Sequence, residues 1–264
     1  MQGPDKRLLI IHAGFHRTGT STVQSVLKAQ HSRLAHHVSV ILKPDIAALC
    51  QAALAYAERP DTSTLGAFQT AAQSHFKTDP EDQRPILMSA EDLCGMFPGR
   101  KGRIGYPHAK ALLSTLVSVV GPAFAPHIYL STRQSMPWLK SCYAHNLRHA
   151  RVRLSFEDFM VAHDGPSLQD IAEDIRSELE GTPVTTCCLK DSSAMPEGPL
   201  SPILDLLDMP AALRGYLRPP AIVNASFPPD IQAAFLLLNR DEDDGAVRRA
   251  AKKQLIANLR SGDR

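Results

Sequence analysis

The feature that most constrains this chain lies close to its start. An apolar run, Arg7-Leu8-Leu9-Ile10-Ile11-His12-Ala13, leads directly into Gly14-Phe15-His16-Arg17-Thr18-Gly19-Thr20-Ser21. Val23, Val26 and Leu27 follow at helical spacing. A short apolar run without alternation is what a strand buried on both faces requires, and such strands belong to parallel sheets. Strand, glycine-bearing loop and helix in that order make the opening of a β–α unit. The same order aims backbone N–H groups and a helix N-terminus at one point, which is how a backbone holds a phosphate.

The rest of the chain repeats the alternation. The sequence predicts a helix from Thr20 to Gln30, a strand from His37 to Leu42, and a helix begun by Pro44 and running through Tyr56. Further helices are expected over Thr62–Phe76, Ala109–Val120, from Arg133 to about His149, from Ser155 with that serine as N-cap and Asp158 three residues on, and over Leu168–Leu179. Further strands are expected over Pro85–Ala90, His127–Thr132 and Val184–Leu189. The expectation is a three-layer α/β/α fold with a mostly parallel central sheet, in a single domain over residues 1–264. There is no internal repeat. The proline-rich stretch from Pro196 to Pro229 reads as an irregular subregion rather than a domain boundary.

Composition excludes several classes. Hydrophobic residues make up 44% and charged residues 21% of 264 positions, as in a globular chain with room for a large core. A formal net charge of +2 does not fit a general nucleic-acid binder, although it leaves a local cationic pocket open. Cys50, Cys94, Cys142, Cys187 and Cys188 are odd in number and contain no C-x-x-C pair, which argues against a disulfide framework and the usual zinc site. Cys187 and Cys188 read as small apolar residues of a core strand. The N-terminal apolar run is too short for a signal peptide, and no stretch approaches the roughly 20 apolar residues that cross a bilayer. A cytoplasmic protein with neither membrane nor nucleic acid as partner is expected.

The glycines of the loop have the spacing G-x-x-x-x-G, yet Thr20 stands where the Walker lysine would follow. The cation comes earlier, at Arg17. A kinase neutralises a triphosphate with lysine and magnesium. A donor whose single 5′-phosphate carries a sulfonate needs less there. Backbone N–H groups, the hydroxyls of Thr18, Thr20, Ser21 and Thr22, and one guanidinium suffice, with Arg17 stabilising charge on the leaving phosphate. A second anchor is offered by Ile128-Tyr129-Leu130-Ser131-Thr132-Arg133, a strand ending in arginine, with Ser141 eight residues further on. Arginine makes forked bonds to phosphate and serine adds one donor. By itself a strand-end arginine fits a surface salt bridge equally well.

Together these segments resemble a known family. His12 to Gln24 resembles the 5′-phosphosulfate loop of bacterial and carbohydrate sulfotransferases, in which a strand leads into Gly-x-x-Lys-Thr-Gly-Thr-Thr with a glutamine soon after. Arg17 replaces the usual lysine, which keeps the cation but not a ready proton donor. Arg133 and Ser141, with Tyr143 continuing Ser-x-Tyr, resemble the family's 3′-phosphate motif. The likeness continues loosely through Phe156–Phe159, Val184–Leu189, Leu200–Leu207 and Val223-Asn224-Ala225-Ser226. It covers most of the chain, but only the two phosphate motifs are specific. The resemblance implies a P-loop fold. It implies 3′-phosphoadenosine-5′-phosphosulfate as co-substrate, with no metal required, and a hydroxyl or amine of a carbohydrate or small metabolite as acceptor. It places His16, Arg17, Thr18, Gly19, Thr20, Ser21 and Thr22 around the 5′-phosphosulfate, and Arg133 and Ser141 on the 3′-phosphate.

Sulfonate transfer also needs a base. Ser89-Ala90-Glu91-Asp92 follows the strand Pro85–Ala90, at the edge that lines the ligand crevice of such sheets. Glu91 resembles the glutamate found after this strand in bacterial members and is the first candidate. A helix-capping carboxylate pair is the other reading of these residues. His108 and His16 are further candidates, His16 lying where it can bond a phosphate oxygen instead. Two other function classes stay open: a P-loop kinase or nucleotidase, which lacks the Walker lysine and a clear strand-end aspartate for magnesium, and a non-catalytic scaffold that keeps the fold. The Gly95–Tyr106 loop and the Pro196–Pro229 stretch are expected to shape the acceptor pocket. Arg100, Lys101 and Arg103 fit either an anionic sugar or a solvated loop.

Overall fold

The computed structural model describes residues 6–76, 81–219 and 227–262. Five strands form the sheet: β1 (Arg7–His12), β2 (Ser39–Leu42), β3 (Ile86–Ser89), β4 (Phe124–Thr132) and β5 (Val184–Cys188). They lie in the order β2-β3-β1-β4-β5, and every neighbouring pair is parallel. With helices flanking the sheet, this is the three-layer α/β/α architecture. β1 is central because it is the most continuously apolar segment, and Leu9, Ile10 and Ile11 are fully buried. Ile10 faces the helix Thr20–Ala29, packing with Val23, Val26, Leu27, Leu87, Tyr129 and Ile203. Leu9 and Ile11 point the opposite way and are buried too.

The strand order sets where a ligand can sit. The connection after β1 runs to β2 on one side of the sheet, and the connection after β4 runs to β5 on the other. Adjacent strands whose connections part in this way open a crevice at their carboxyl ends. The segment after His12 and the residue after Thr132 both lie there.

Contacts group the chain into two compact units, where the sequence reads as one domain. The first comprises Met1–Phe97, Gly105–Gln134 and Pro166–Val223 and contains the sheet. The second comprises Pro98–Ile104, Ser135–Gly165 and Asn224–Arg264 and is helical among its described residues, with helices Ser135–His149, Phe156–Ala162, Pro229–Asp241 and Gly245–Ser261. In this second unit Lys252 is 5% exposed and donates to the carbonyls of Leu147 and Ala150 at the end of helix Ser135–His149. A cation there complements the helix dipole.

Element boundaries differ from the sequence reading for identifiable reasons. β4 starts at Phe124 rather than His127 because Pro126 is tolerated inside it. Ile128 donates its N–H toward Pro183, so Pro126, two residues earlier, faces the same side before β5 begins, and no ladder bond is lost. The helix after Pro44 starts at Ala47, because Asp45 first closes a turn by accepting from the Leu42 N–H. Cys187 and Cys188 are half-buried rather than core residues, because β5 ends the sheet. The five cysteines are free thiols. Ser155 caps its helix as expected, accepting from Asp158 N–H at 3.0 Å. Residues 223–226 lie outside the described residues. Among the described residues no helix is long and apolar enough to cross a membrane.

Candidate functional site

The first half of the site is the turn between β1 and the helix Thr20–Ala29. Gly14 sits where a Cβ would come within 2.4 Å of Ser131 Oγ and 2.6 Å of His12 Nε2, so no larger residue fits. Ser131 Oγ is 2.6 Å from Thr18 Oγ1, which donates to the Phe15 carbonyl. Since the Thr18 proton is used in that bond, Ser131 is the donor between the two hydroxyls. The chain then adopts left-handed backbone twice, at Arg17 (φ 68) and Gly19 (φ 97). Left-handed residues within a turn direct successive N–H groups inward, forming an anion-binding concavity. For arginine this conformation costs on the order of 1 kcal/mol. The guanidinium of Arg133 donates to the Arg17 carbonyl at 3.1 Å, tying the first residue after β4 to the strained residue of the loop. The helix that follows has no side-chain cap and no acidic residue in its first turn. Its N-terminus remains attractive to an anion.

The loop hydroxyls divide. Thr18 and Thr20 are buried and bond to the Phe15 carbonyl, so they hold the loop's shape rather than face the crevice as expected. Ser21 is exposed and Thr22 half-buried.

Beneath the loop, His12 is fully buried, with Nδ1 at 2.9 Å from Ser89 Oγ and Nε2 without a hydrogen-bond partner. Burial alone lowers its pKa to about 3, so the ring is neutral.

The second half of the site is the turn after β3. His16 turns away from the loop's concavity toward it. The Tyr106 hydroxyl accepts from the His16 backbone N–H at 2.7 Å and lies 3.0 Å from His16 Nδ1. His16 Nε2 is 3.3 Å from Asp92 Oδ1. The ring lies parallel to Tyr106 and edge-on to Phe97. Lys43, the first residue after β2, contacts Asp92 Oδ2. Burial pushes the Asp92 carboxyl up, but its bonds to His16 and Lys43 outweigh that and leave it below the ordinary carboxylate range. Glu91 Oε2 accepts from Gln24 Nε2 at 2.9 Å, and the same amide reaches the Ser89 carbonyl at 3.3 Å. His16, Glu91 and Asp92 thus present one ligand atom each within 4.8 Å of one another.

The structure therefore brings Arg17 to Arg133 and His16 to Asp92, and holds Glu91 to the helix that leaves the loop. His108 stands just ahead of the helix Ala109–Ser118, with its ring edge-on to Tyr56 at 5.6 Å. Ser141 belongs to the second unit, where it is buried on the helix Ser135–His149. Arg100, also in that unit, lies 3.4 Å from His145 Nε2. The sequence reading missed Lys43 and Tyr106 and saw Asp92 only as a capping residue. Lys43 had a usable signal, its position directly after a strand. Tyr106 had none.

Comparisons with protein-family models, with curated proteins and with solved structures gave no match.

Proposed function

We propose that the chain is a sulfotransferase taking its sulfonate from 3′-phosphoadenosine-5′-phosphosulfate and passing it to a hydroxyl or amine of a carbohydrate or small metabolite. The observation that carries this reading is the loop itself. It has left-handed backbone at Arg17 and Gly19, sits at the crevice between β1 and β4, lacks the Walker lysine, and is tied to a strand-end arginine. In this reading the loop N–H groups and the uncapped helix hold the 5′-phosphate. Arg133 supplies the charge for the second phosphate of the donor. Glu91, steadied by Gln24, accepts the proton of the acceptor group. The acceptor oxygen or nitrogen bonds to sulfur, the bond from sulfur to the 5′-phosphate oxygen breaks, and Arg17 stabilises the charge left on that oxygen. This reading gives His108 no step; its ring stands edge-on to Tyr56.

One observation favours a second reading. Glu91 and Asp92 follow β3, the strand beside β1, and carboxylates there can serve magnesium in a nucleotide-dependent phosphoryl transferase. Calorimetry separates the two. Micromolar binding of 3′-phosphoadenosine 5′-phosphate, lost in Arg133→Ala, is the expected result. Binding of ATP–magnesium without binding of the bisphosphate would move the assignment to phosphoryl transfer. Binding of neither would leave a scaffold that keeps the fold.

A further inference from the structure

The cluster His16, Glu91 and Asp92 has an order that a hydrogen-bond network alone does not require. Each of its three groups is held from behind by a residue outside the cluster. The Tyr106 hydroxyl lies 3.0 Å from His16 Nδ1, leaving Nε2 directed at Asp92. Gln24 donates to Glu91 Oε2. Lys43 holds Asp92 Oδ2, leaving Oδ1 directed at His16. This resembles the outer-shell pattern of metal ligands: an imidazole bonded through its far nitrogen, and carboxylates held by residues behind them. The Tyr106 hydroxyl can accept from both the His16 backbone N–H and a protonated Nδ1, which frees Nε2 to ligate.

One of the three spacings fits a tetrahedral ion as well. Two ligands about 2.0–2.1 Å from a tetrahedral ion stand about 3.3 Å apart, and His16 Nε2 to Asp92 Oδ1 is 3.3 Å. The backbone around all three ligands is fixed. His16 is clamped by its own N–H bond to Tyr106, and Glu91 and Asp92 lie in one short 3₁₀ turn.

We propose that His16, Glu91 and Asp92 form a three-ligand site for a divalent transition-metal ion. Zinc accepts imidazole and carboxylate ligands together and serves as the probe ion, with a fourth position left for water or a substrate oxygen. The proposal does not depend on either reading of the loop. It has a consequence for the sulfonate reading, since a glutamate that ligates zinc is no longer a free base, so the ion would replace Glu91 in activating the acceptor or would block it.

The test is a zinc titration of chelator-treated full-length protein, read by competition with a chromophoric chelator and by thermal melting. The expected result is one saturable ion per chain at micromolar affinity or tighter, with a raised melting temperature. His16→Gln and Asp92→Asn should each weaken binding at least tenfold. Lys43→Met, which removes the residue holding Asp92 from behind, should weaken it about tenfold or more. Glu91→Gln keeps the Gln24 contact at a half-buried position, and it decides the matter if either of the first two variants fails to melt cooperatively without zinc. Absence of one-to-one binding would overturn the proposal. So would one-to-one binding at full strength in the folded His16, Glu91 or Asp92 variants, which would assign the ion to other residues.

Discussion

Two turns at the carboxyl edge of the same sheet are built on opposite plans. The turn after β1 takes its shape largely from local backbone features, braced by Ser131 and Arg133 at the end of β4: glycine where Ser131 and His12 crowd a Cβ, a threonine bonded back to Phe15, and left-handed backbone at Arg17 and Gly19. The turn after β3 has little internal structure beyond one 3₁₀ turn. Its carboxylates are fixed by side chains from far along the chain: Gln24, Lys43 and His16. The first presents backbone donors and a cation. The second presents acceptors. A local motif builds the donor-rich half and tertiary packing builds the acceptor-rich half, so substitutions in the two halves should fail differently.

The largest expected effect lies under both turns. His12 bridges them, ending β1 and reaching Ser89 at the end of β3. Its folded pKa of about 3 lies below the ordinary histidine value of 6.5, so between those values the unfolded chain binds a proton that the folded chain excludes. Stability therefore rises with pH across that window and is lost as pH falls, by about 1.4 kcal/mol per unit and on the order of 5 kcal/mol over the whole range. Denaturant unfolding of the wild type and His12→Gln at pH 7, 5.5 and 4 measures it. The advantage of the wild type should shrink steadily toward acid. A constant difference would mean that His12 is not excluded from protonation, and the floor shared by the two turns would lose its neutral character.

Next comes the cation of the first turn. Arg17→Ala should lower sulfonate turnover by 10²–10³, about 3–4 kcal/mol in the barrier. Because the loop's shape depends on Gly14, Thr18 and Gly19, and alanine adopts the same left-handed backbone at a similar cost, the melting temperature should hold. An unchanged rate would take Arg17 out of the chemistry. A fallen melting temperature would show that the side chain supports the loop, which breaks the contrast between a self-built turn and a packed one.

This contrast also sets what could be read from the sequence. The strand–loop–helix unit was legible because its requirements are local: an apolar run without alternation, two glycines, and apolar residues at helical spacing. The three-layer fold followed from repeated alternation of strands and helices. Within the loop, the roles of individual hydroxyls were not legible. Whether Thr18 faces the crevice or the Phe15 carbonyl depends on Ser131, which lies more than a hundred residues away. The second turn was legible only as a strand-end glutamate. Nothing in the spacing of Lys43, Asp92 and Tyr106 marks them as neighbours, because parallel strands bring together residues whose separation is set by the intervening helices.

Glycine offers a sharper comparison of moderate size. Gly14→Ala should destabilise by about 1–3 kcal/mol, the usual range for forcing a methyl into a packed site. At Gly95, beside the second turn, the nearest atom to an added Cβ is the Ala57 side chain at 3.2 Å, but the backbone has φ 97. There the cost comes mainly from conformation, with a close contact that Ala57 must relieve, about 1–3 kcal/mol in all. Gly66, with nothing within 4 Å and inside the helix Thr62–Gln73, is the control. Alanine there should stabilise by about 0.5–1 kcal/mol. Equal losses at Gly14 and Gly66 would remove the close-approach argument for the first turn.

The smallest expected effect tests a side chain that packs on the first turn from outside it. Tyr106 accepts the His16 N–H while its ring packs on Phe15 and lies parallel to the His16 ring. Tyr106→Phe keeps the ring and removes only the hydroxyl, so the packing term is nearly unchanged. The loss should be about 1–2 kcal/mol, the cost of leaving a part-buried N–H without its acceptor. Unfolding in urea gives the stability, and binding of 3′-phosphoadenosine 5′-phosphate gives the state of the first turn. If the turn after β1 is self-built, nucleotide affinity should survive the loss of Tyr106 within about threefold. A drop comparable to that of Arg133→Ala would show that the donor half depends on the acceptor half for its shape, and the two plans would merge into one.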